Sequence, residues 1–542
     1  MSIGKTPLLT GASFALLLIC VVQIASAQLP TSAWPRYTAD RASRGRALDA
    51  SIDATLFTIK SDERFVGKDT ASDTSPIVFG TLGGTYVVLY AYTTTLFTQP
   101  APTYVAKLIC YTITSDGKLS TNPLWTQQLQ TVLPTDRKGN LYVGSPAIET
   151  KGDGTKNVYV AGGRTNTDGW VFRVRLSSTF GILSTSQLSL ATPTGPGGTP
   201  VACSPNIGTD GTVYVTTSTN DITGGTNSLG VCAFTPNTAD GGMTIKWKYV
   251  PKVNQRITTS IPTQFRQYLN SEITSVSPPF TASLGMPSLY EDALGKTHII
   301  TNGTNKSAGY PPSPGVLGLD DYPNKYGVGL KLQSGASAAT KEWDGWYEDI
   351  LPGPNGSTAP DAIVSYGLTS QPLSTGNDIY FGTTYYTHPF VEYLYNQIEA
   401  RSVATGQRLW TQTIHGSLQE VPAVDSGNNV IVTGYEGTSP NVYQAVYKYN
   451  STGVFQWKYL LPLGRLMGVA PSIDSYDNIV FPVTSGDGSI QSNNYVLTIK
   501  SDGSAVYTVT NVSGINSQVA LFRLNGSSFG VLGTSNGIAV IH

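Results

Sequence analysis

The stretch "SPNIGTDGTVYVTTSTN" (Ser204–Asn220) joins a proline, an Asp-Gly turn and a run of β-branched and aromatic residues. A proline is tolerated where a strand begins at a sheet edge, because its missing N–H has no ladder to serve there. Asp210-Gly211 is a turn signal, and Val213, Tyr214 and Val215 suit a pleated surface. The same grammar returns in "SPAIETKGDGTKNVYVAGG" from Ser145 and in "APSIDSYDNIVFPVTS" from Ala470. Related openings place Pro76, Pro287, Pro372 and Pro422, and a degenerate eighth, "SQVALF", starts at Ser517. Pro372, Pro422 and Pro471 recur at about 50 residues, a period that marks a repeat architecture, and the wider early spacings imply insertions into that unit.

Each unit reads as four strands. After the proline and the turn comes a β-rich run such as "NVYVAG", "TVYVTT" or "NVIVTG". A third strand such as "KLICYTI" or "QAVYKYN" follows, then a fourth that carries Trp125, Trp247, Trp343, Trp410 or Trp457. The runs are too short and too β-branched for helices. Four antiparallel strands per unit describe a blade of a β-propeller, whose faces are buried only by stacking on neighbours. The expected fold is all-β, a propeller of eight four-stranded blades, or seven if the unit near Pro287 is an insertion. "ATLFTIKSD" (Ala54–Asp62) reads as an outer strand with no inner strands before it. The chain ends on "SQVALFRL", "SFGVLGT" and "GIAVIH", three strands lacking a fourth. Joining the two closes the ring and removes open sheet edges. Residues 54–542 form one propeller domain in this reading.

"ARSVATGQRLW" (Ala400–Trp410) resembles the tryptophan-docking motif of the PQQ-like, or quinoprotein alcohol dehydrogenase-like, propeller family. Ala400, Thr405, Gly406 and Trp410 match, while Ser402 stands where Asp or Asn is usual. "STGVFQW" repeats the second half through Thr452, Gly453 and Trp457. "WPRYTADRASRGRALD" resembles the segment that precedes the first blade in secreted members, through Trp34, Pro35, Tyr37 and Asp40. The resemblance implies that each tryptophan packs between adjacent blades. It also implies, for the enzymes of the class, pyrroloquinoline quinone and calcium in the axial channel beneath two adjacent cysteines. This chain has no adjacent cysteines and no recognisable calcium set, so no cofactor is expected. A PQQ- and calcium-dependent dehydrogenase of alcohols or sugars is the alternative.

Charged residues make up 13% of the chain and the net charge is −1, so nucleic acid is not an expected partner and no polybasic stripe addresses a membrane. Residues 1–27 read as a secretory leader: Lys5, the apolar core "FALLLICVVQIA", and the small-x-small site Ala25-Ser26-Ala27 before Gln28. Residues 28–53 are a lead-in. Localisation is expected to be extracellular, or periplasmic in a bacterium, with no membrane insertion after the leader is removed. Cys110, Cys203 and Cys232 then remain, an odd number, open to one disulfide or to buried thiols.

The four histidines, His298, His388, His415 and His542, have no metal-ligand spacing. His298 reads as a satisfied sheet residue. Glu291-Asp292, Asp320-Asp321 and Glu348-Asp349 read as solvated loop pairs, and no nucleophile elbow, P-loop or zinc motif is present. No catalytic or metal residue is therefore expected. Sequons at Asn302, Asn305, Asn355, Asn450, Asn511 and Asn525 are candidate glycosylation sites, with Asn302, Asn305 and Asn355 favoured as residues of long connections. Tyr- and Pro-rich insertions around 251–285, 307–327 and 351–367 suit a recognition surface on a rigid scaffold. The sequence points to a secreted, non-catalytic binding or scaffold protein for an extracellular protein or glycan. A structural component of a wall or matrix is the third class.

Overall fold

In the computed structural model the described residues are 62–65, 74–80, 85–96, 103–132, 141–164, 168–190, 201–218, 231–249, 280–306, 325–346, 360–405, 408–436, 443–485 and 495–541, apart from short gaps within these spans. Among them every regular element is a strand. The strands form eight antiparallel sheets, each with four strands in hydrogen-bonded succession. The first sheet is typical: Ile77–Gly80 lies innermost, then Tyr86–Leu96, Thr103–Ile113 and, outermost, Trp125–Val132. Numbered in chain order, the sheets begin near Ile77, Ala147, Asn206, Ser288, Pro360, Ala423, Ser472 and Ala520.

The burial pattern explains the uninterrupted apolar strands. Ile77, Val87 and Leu89 face Val158, Val160 and Trp170 of the second sheet. Their neighbours Val78, Val88 and Tyr90 face Val519, Leu521 and Val531 of the eighth. A strand covered on both faces has no solvent side, so "YVVLYAY" need not alternate with polar residues. Tyr159 and Ala161 meet Val213 and Val215 across the second and third sheets, and Tyr214 and Trp247 meet Leu289 and Ile299 across the third and fourth. Ile398 and Ala400 meet Val424 and Val432 across the fifth and sixth, and Ile431 meets Ile479 and Phe481 across the sixth and seventh.

Three expectations need adjustment. The described N-terminal outer strand is Asp62–Phe65, pairing antiparallel with Gly537–Val540 of the last sheet; of the expected strand Ala54–Asp62, residues 54–61 lie outside the described residues. The inner strand of the fifth sheet is Pro360–Ser370, a β-rich run, and the segment expected to open at Pro372 lies outside the described residues. The insertion at 351–367 therefore contributes a strand, and Lys325–Gly327 at the end of the second insertion likewise belong to a third strand, Lys325–Ser334. The unit at Pro287 has a sheet of its own, from Ser288–Glu291 out to Ala339–Trp346. The leader and the lead-in lie outside the described residues.

Candidate functional site

Two sets of polar side chains stand out, and both run between elements rather than into open space. The first lies along the inner strands. Ser75, Ser145 and Ser204 each precede a proline that opens an inner strand. The N–H of Ser75 donates to Ser145 Oγ at 2.8 Å, and the N–H of Ser145 donates to Ser204 Oγ at 2.9 Å. The N–H of Gln518, in the last sheet, donates to Ser75 Oγ at 3.1 Å, 443 residues away in sequence. Gln518 Nε2 donates to the Pro471 carbonyl at 2.8 Å, and Asn206 Nδ2 to the Pro287 carbonyl at 2.7 Å.

Because an inner strand has no further strand to pair with, its last amide before the proline would be an orphan. The serine of the next sheet satisfies it. Sequence reasoning noted the prolines and missed the serines; the recurring Ser-Pro pair was the available signal.

The second set centres on His298, which is buried at 5% exposure. Its Nδ1 lies 2.7 Å from Glu342 Oε2 and its Nε2 3.2 Å from Asp292 Oδ2. The ring stacks on Tyr290 at 4.6 Å, and Lys331 Nζ reaches Glu342 at 3.1 Å. Asp292 also accepts the N–H groups of Leu294 and Lys296, and the Lys296 bond is the main reason its carboxyl is held below the usual range. Burial pushes the Tyr290 hydroxyl up. Both ring nitrogens are engaged by carboxylates. His298 is thus the satisfied sheet histidine expected, and Asp292 is part of a turn that clamps it. Its neighbour Glu291 accepts the N–H of Thr209 from the third sheet. His388, His415, His542, Asp320-Asp321 and Glu348-Asp349 have no described side chains.

The tryptophans reach the hairpin of the following sheet. Trp125 Nε1 donates to the Phe180 carbonyl at 2.8 Å, Trp410 Nε1 to Ser451 at 2.9 Å and Trp457 Nε1 to Ser501 at 3.2 Å. Trp247 Nε1 meets Ser334 Oγ at 3.3 Å. Thr452 and Gly453 belong to the hairpin that receives Trp410. Asn450 Oδ1 there accepts the N–H groups of Thr452 and Val454, and Gly453, at φ +81°, has no room for a Cβ, which would lie 2.7 Å from the indole. Thr405 donates its N–H to Ser402 Oγ at 3.4 Å; Gly406 and the Trp343 side chain lie outside the described residues.

Where no tryptophan is available, arginine takes the role. Arg173 Nη1 donates to the carbonyls of Asn237 and Gly242, both at 2.9 Å. In the last sheet, Arg64 donates to the carbonyls of Leu119 (3.0 Å) and Ser120 (3.3 Å), while Phe529 packs on Gly117.

Among the sequons, Asn302 and Asn305 lie inside the strand Thr297–Lys306, opposite Gly329 and Tyr326, not in a long connection. The strand continues through them because Thr-Asn-Gly-Thr is flanked by a ten-residue partner, Lys325–Ser334. Asn525 is exposed at φ 51° and donates to the Ser115 carbonyl at 3.2 Å. Asn355 and Asn511 lie outside the described residues.

Cys110 and Cys232 are buried thiols in the first and third sheets. Burial pushes both up, Cys232 to about 12. Neither is expected to react with a thiol reagent such as dithionitrobenzoate in the native protein at pH 8, and both should react once urea unfolds it. Rapid native modification of either, located by peptide mapping, would contradict this burial. Cys203 lies outside the described residues.

No family model and no curated protein matches this chain. Among solved structures, the quinohemoprotein alcohol dehydrogenase of Comamonas testosteroni superposes with a TM-score of 0.54 at 10% identity, over 96% of this chain and 81% of that one. The chain is a β-propeller. The propeller of Dos1 also aligns, with a TM-score of 0.46 at 9% identity, over 91% and 96% of the two chains. At these identities the likeness concerns the fold alone.

Cys110 and Cys232 sit in different sheets, and among the described residues no group of three His, Cys, Asp or Glu side chains is placed to hold a metal.

Proposed function

We propose that this propeller is an eight-bladed closed ring that works outside the cytoplasm as a non-catalytic binding scaffold, without quinone or calcium, for an extracellular protein or glycan. The observation that carries this reading is the asymmetry between the two ends of the sheets. In a four-stranded antiparallel sheet, the first-to-second and third-to-fourth turns leave one end, and the other connections leave the opposite end. At the first end the described turns are tight: residues 151–155, 208–212, 292–296, 425–429 and 474–478 each close with a backbone bond from the first residue to the fifth. The stretches 250–279, 307–324, 347–359 and 388–394 all join strands at the opposite end. Long connections on one end of a rigid scaffold are where binding residues collect.

The rigidity such a scaffold needs is supported by the hydrogen bonds from Ser75, Ser145 and Gln518 to the neighbouring sheets.

Replacing residues 308–323 by a short Gly-Ser loop is expected to leave the melting temperature within about 2 °C, since loop length changes closure entropy only slowly. It should weaken retention on an immobilised glycan or extracellular-protein panel at least tenfold. Unchanged retention would remove this end of the ring as the binding surface. Adding PQQ and calcium is expected to shift neither the melting temperature nor the visible spectrum. Turnover of an alcohol or sugar would instead establish the dehydrogenase reading. Secretion is tested by N-terminal sequencing of exported protein, with Gln28 the expected first residue.

A further inference from the structure

The hairpin that receives Trp410 carries one of the six sequons, Asn450-Ser451-Thr452. Asn450 Oδ1 accepts the N–H groups of Thr452 at 3.0 Å and Val454 at 2.8 Å, and the Thr452 hydroxyl at 2.9 Å. Only the oxygen of the amide can accept from backbone N–H groups, so the side chain has one orientation: Oδ1 faces the turn and Nδ2 faces away from it. Nδ2 makes no hydrogen bond among the described residues and is not enclosed by them. Asn450 is half-buried and Thr452 exposed. In Asn525 the same nitrogen is committed, at 3.2 Å, to the Ser115 carbonyl.

The same hairpin bears an apolar rim. Val454 closes the turn by accepting the Asn450 N–H, and it is 56% exposed; Phe455, next in the chain, is 51% exposed. The residue that closes the corresponding turn is Lys118 in the first sheet, Gly181 in the second and Ser504 in the seventh. Phe455 meets Tyr449 edge-on at 5.9 Å, and Tyr449 stands 6.4 Å from the Trp410 ring. Leu409, 51% exposed, precedes the docked Trp410. Apolar side chains grouped at one exposed place mark a surface that something covers.

We propose that Asn450 carries an N-linked glycan and that its first sugars lie over Val454 and Phe455. The inference rests on the export proposed above, which supplies the donor, a sugar-diphosphate lipid. In the transfer, Asn450 Nδ2 bonds to C1 of the donor sugar and gives up one proton; the C1–O bond breaks, and the diphosphate leaves with its electron pair. Once attached, the glycan must be borne by the folded chain. Here the sugar sits on the nitrogen turned away from Oδ1, so no hydrogen bond of the turn is spent. A glycan is bulky and solubilising, which is the covering that an exposed valine and phenylalanine call for.

The full chain is expressed in a eukaryotic secretory host, once with its own residues 1–27 and once with a host leader in their place. Retention of the first in the cell, with export of the second, would count against the secretory reading alone. In the second protein, peptide mapping is expected to find Asn450 glycosylated in most molecules; exported, folded protein with Asn450 bare overturns the proposal. Removing the glycan with a peptide amidase leaves Asn450→Asp, which keeps the oxygen that holds the turn. Removal from the folded protein is expected to raise binding of a hydrophobic dye about twofold or more, and a Val454→Ser/Phe455→Ser variant should show no such rise. Unchanged dye binding by the deglycosylated native chain, or an equal rise in the variant, overturns the placement of the sugars over this rim. If the variant does not fold, the native chain before and after removal decides alone.

Discussion

Replacing Trp410 by alanine is expected to lower stability by about 3 kcal/mol, the lower end of the range for removing a large aromatic, because the indole is half-buried. The loss has two parts. The indole covers the hairpin Asn450–Val454 of the sixth sheet, and its N–H satisfies the Ser451 carbonyl at 2.9 Å. Gln412 Nε2 adds a bond to the Gly453 carbonyl at 2.9 Å from the same strand.

Gly453→Ala attacks the same contact from the other side. At φ +81° a side chain is strained whatever the space, and here the first carbon would also push into the indole. The two substitutions should therefore be coupled. In the Trp410→Ala background, Gly453→Ala should cost only its backbone part, about 1 kcal/mol; in the native background it should cost clearly more. Urea titrations of the four proteins measure the cycle. Strict additivity would mean that Trp410 does not dock on this hairpin.

The second large effect concerns Lys448. Its ammonium lies 2.8 Å from Asp425 Oδ2, with both side chains buried, and it also sits 5.8 Å from the Trp457 ring centre. Lys448→Ala would leave the Asp425 carboxylate buried without its cation, at a cost of about 3–5 kcal/mol. The pair itself is not the source of that stability. Lys448→Met with Asp425→Asn should recover part of the loss: the oxygen that accepts from the Gly427 and Asn429 N–H groups is kept and the charge is removed, while the Asn429 Nδ2 bond to Oδ2 is lost. If the double variant is as unstable as Lys448→Ala, the damage comes from lost packing around the lysine stem, not from the stranded charge.

Much of the architecture was legible because a propeller repeats its grammar. The proline openings, the Asx turns and the tryptophan-bearing fourth strands recur often enough that no single unit has to carry the reading. Trp125, Trp247, Trp410 and Trp457 were readable for the same reason: a large planar residue at one recurring position has one task. The substitutes were not legible. Arg173 and Arg64 do the work of tryptophan from different strands, and only three-dimensional proximity reveals the carbonyls that they serve.

The inter-sheet serine relay was hidden in plain text, since Ser-Pro was read for its proline. The partners of His298 were beyond reach, because Glu342 lies 44 residues away on the outer strand. The candidate binding end was legible as insertions, but that they leave one common end follows only from strand order.

The account rests on the two ends of the chain meeting in one seam. Ser115 and Asn525, joined by a 3.2 Å hydrogen bond and 410 residues apart in sequence, are both exposed and test it directly. With cysteines at these two positions, a short bismaleimide is expected to form an intramolecular link in the folded protein at low concentration, seen as one cross-linked peptide pair and an altered mobility on denaturing gels. A folded protein that forms no such link, or links only between molecules, would contradict the closed ring.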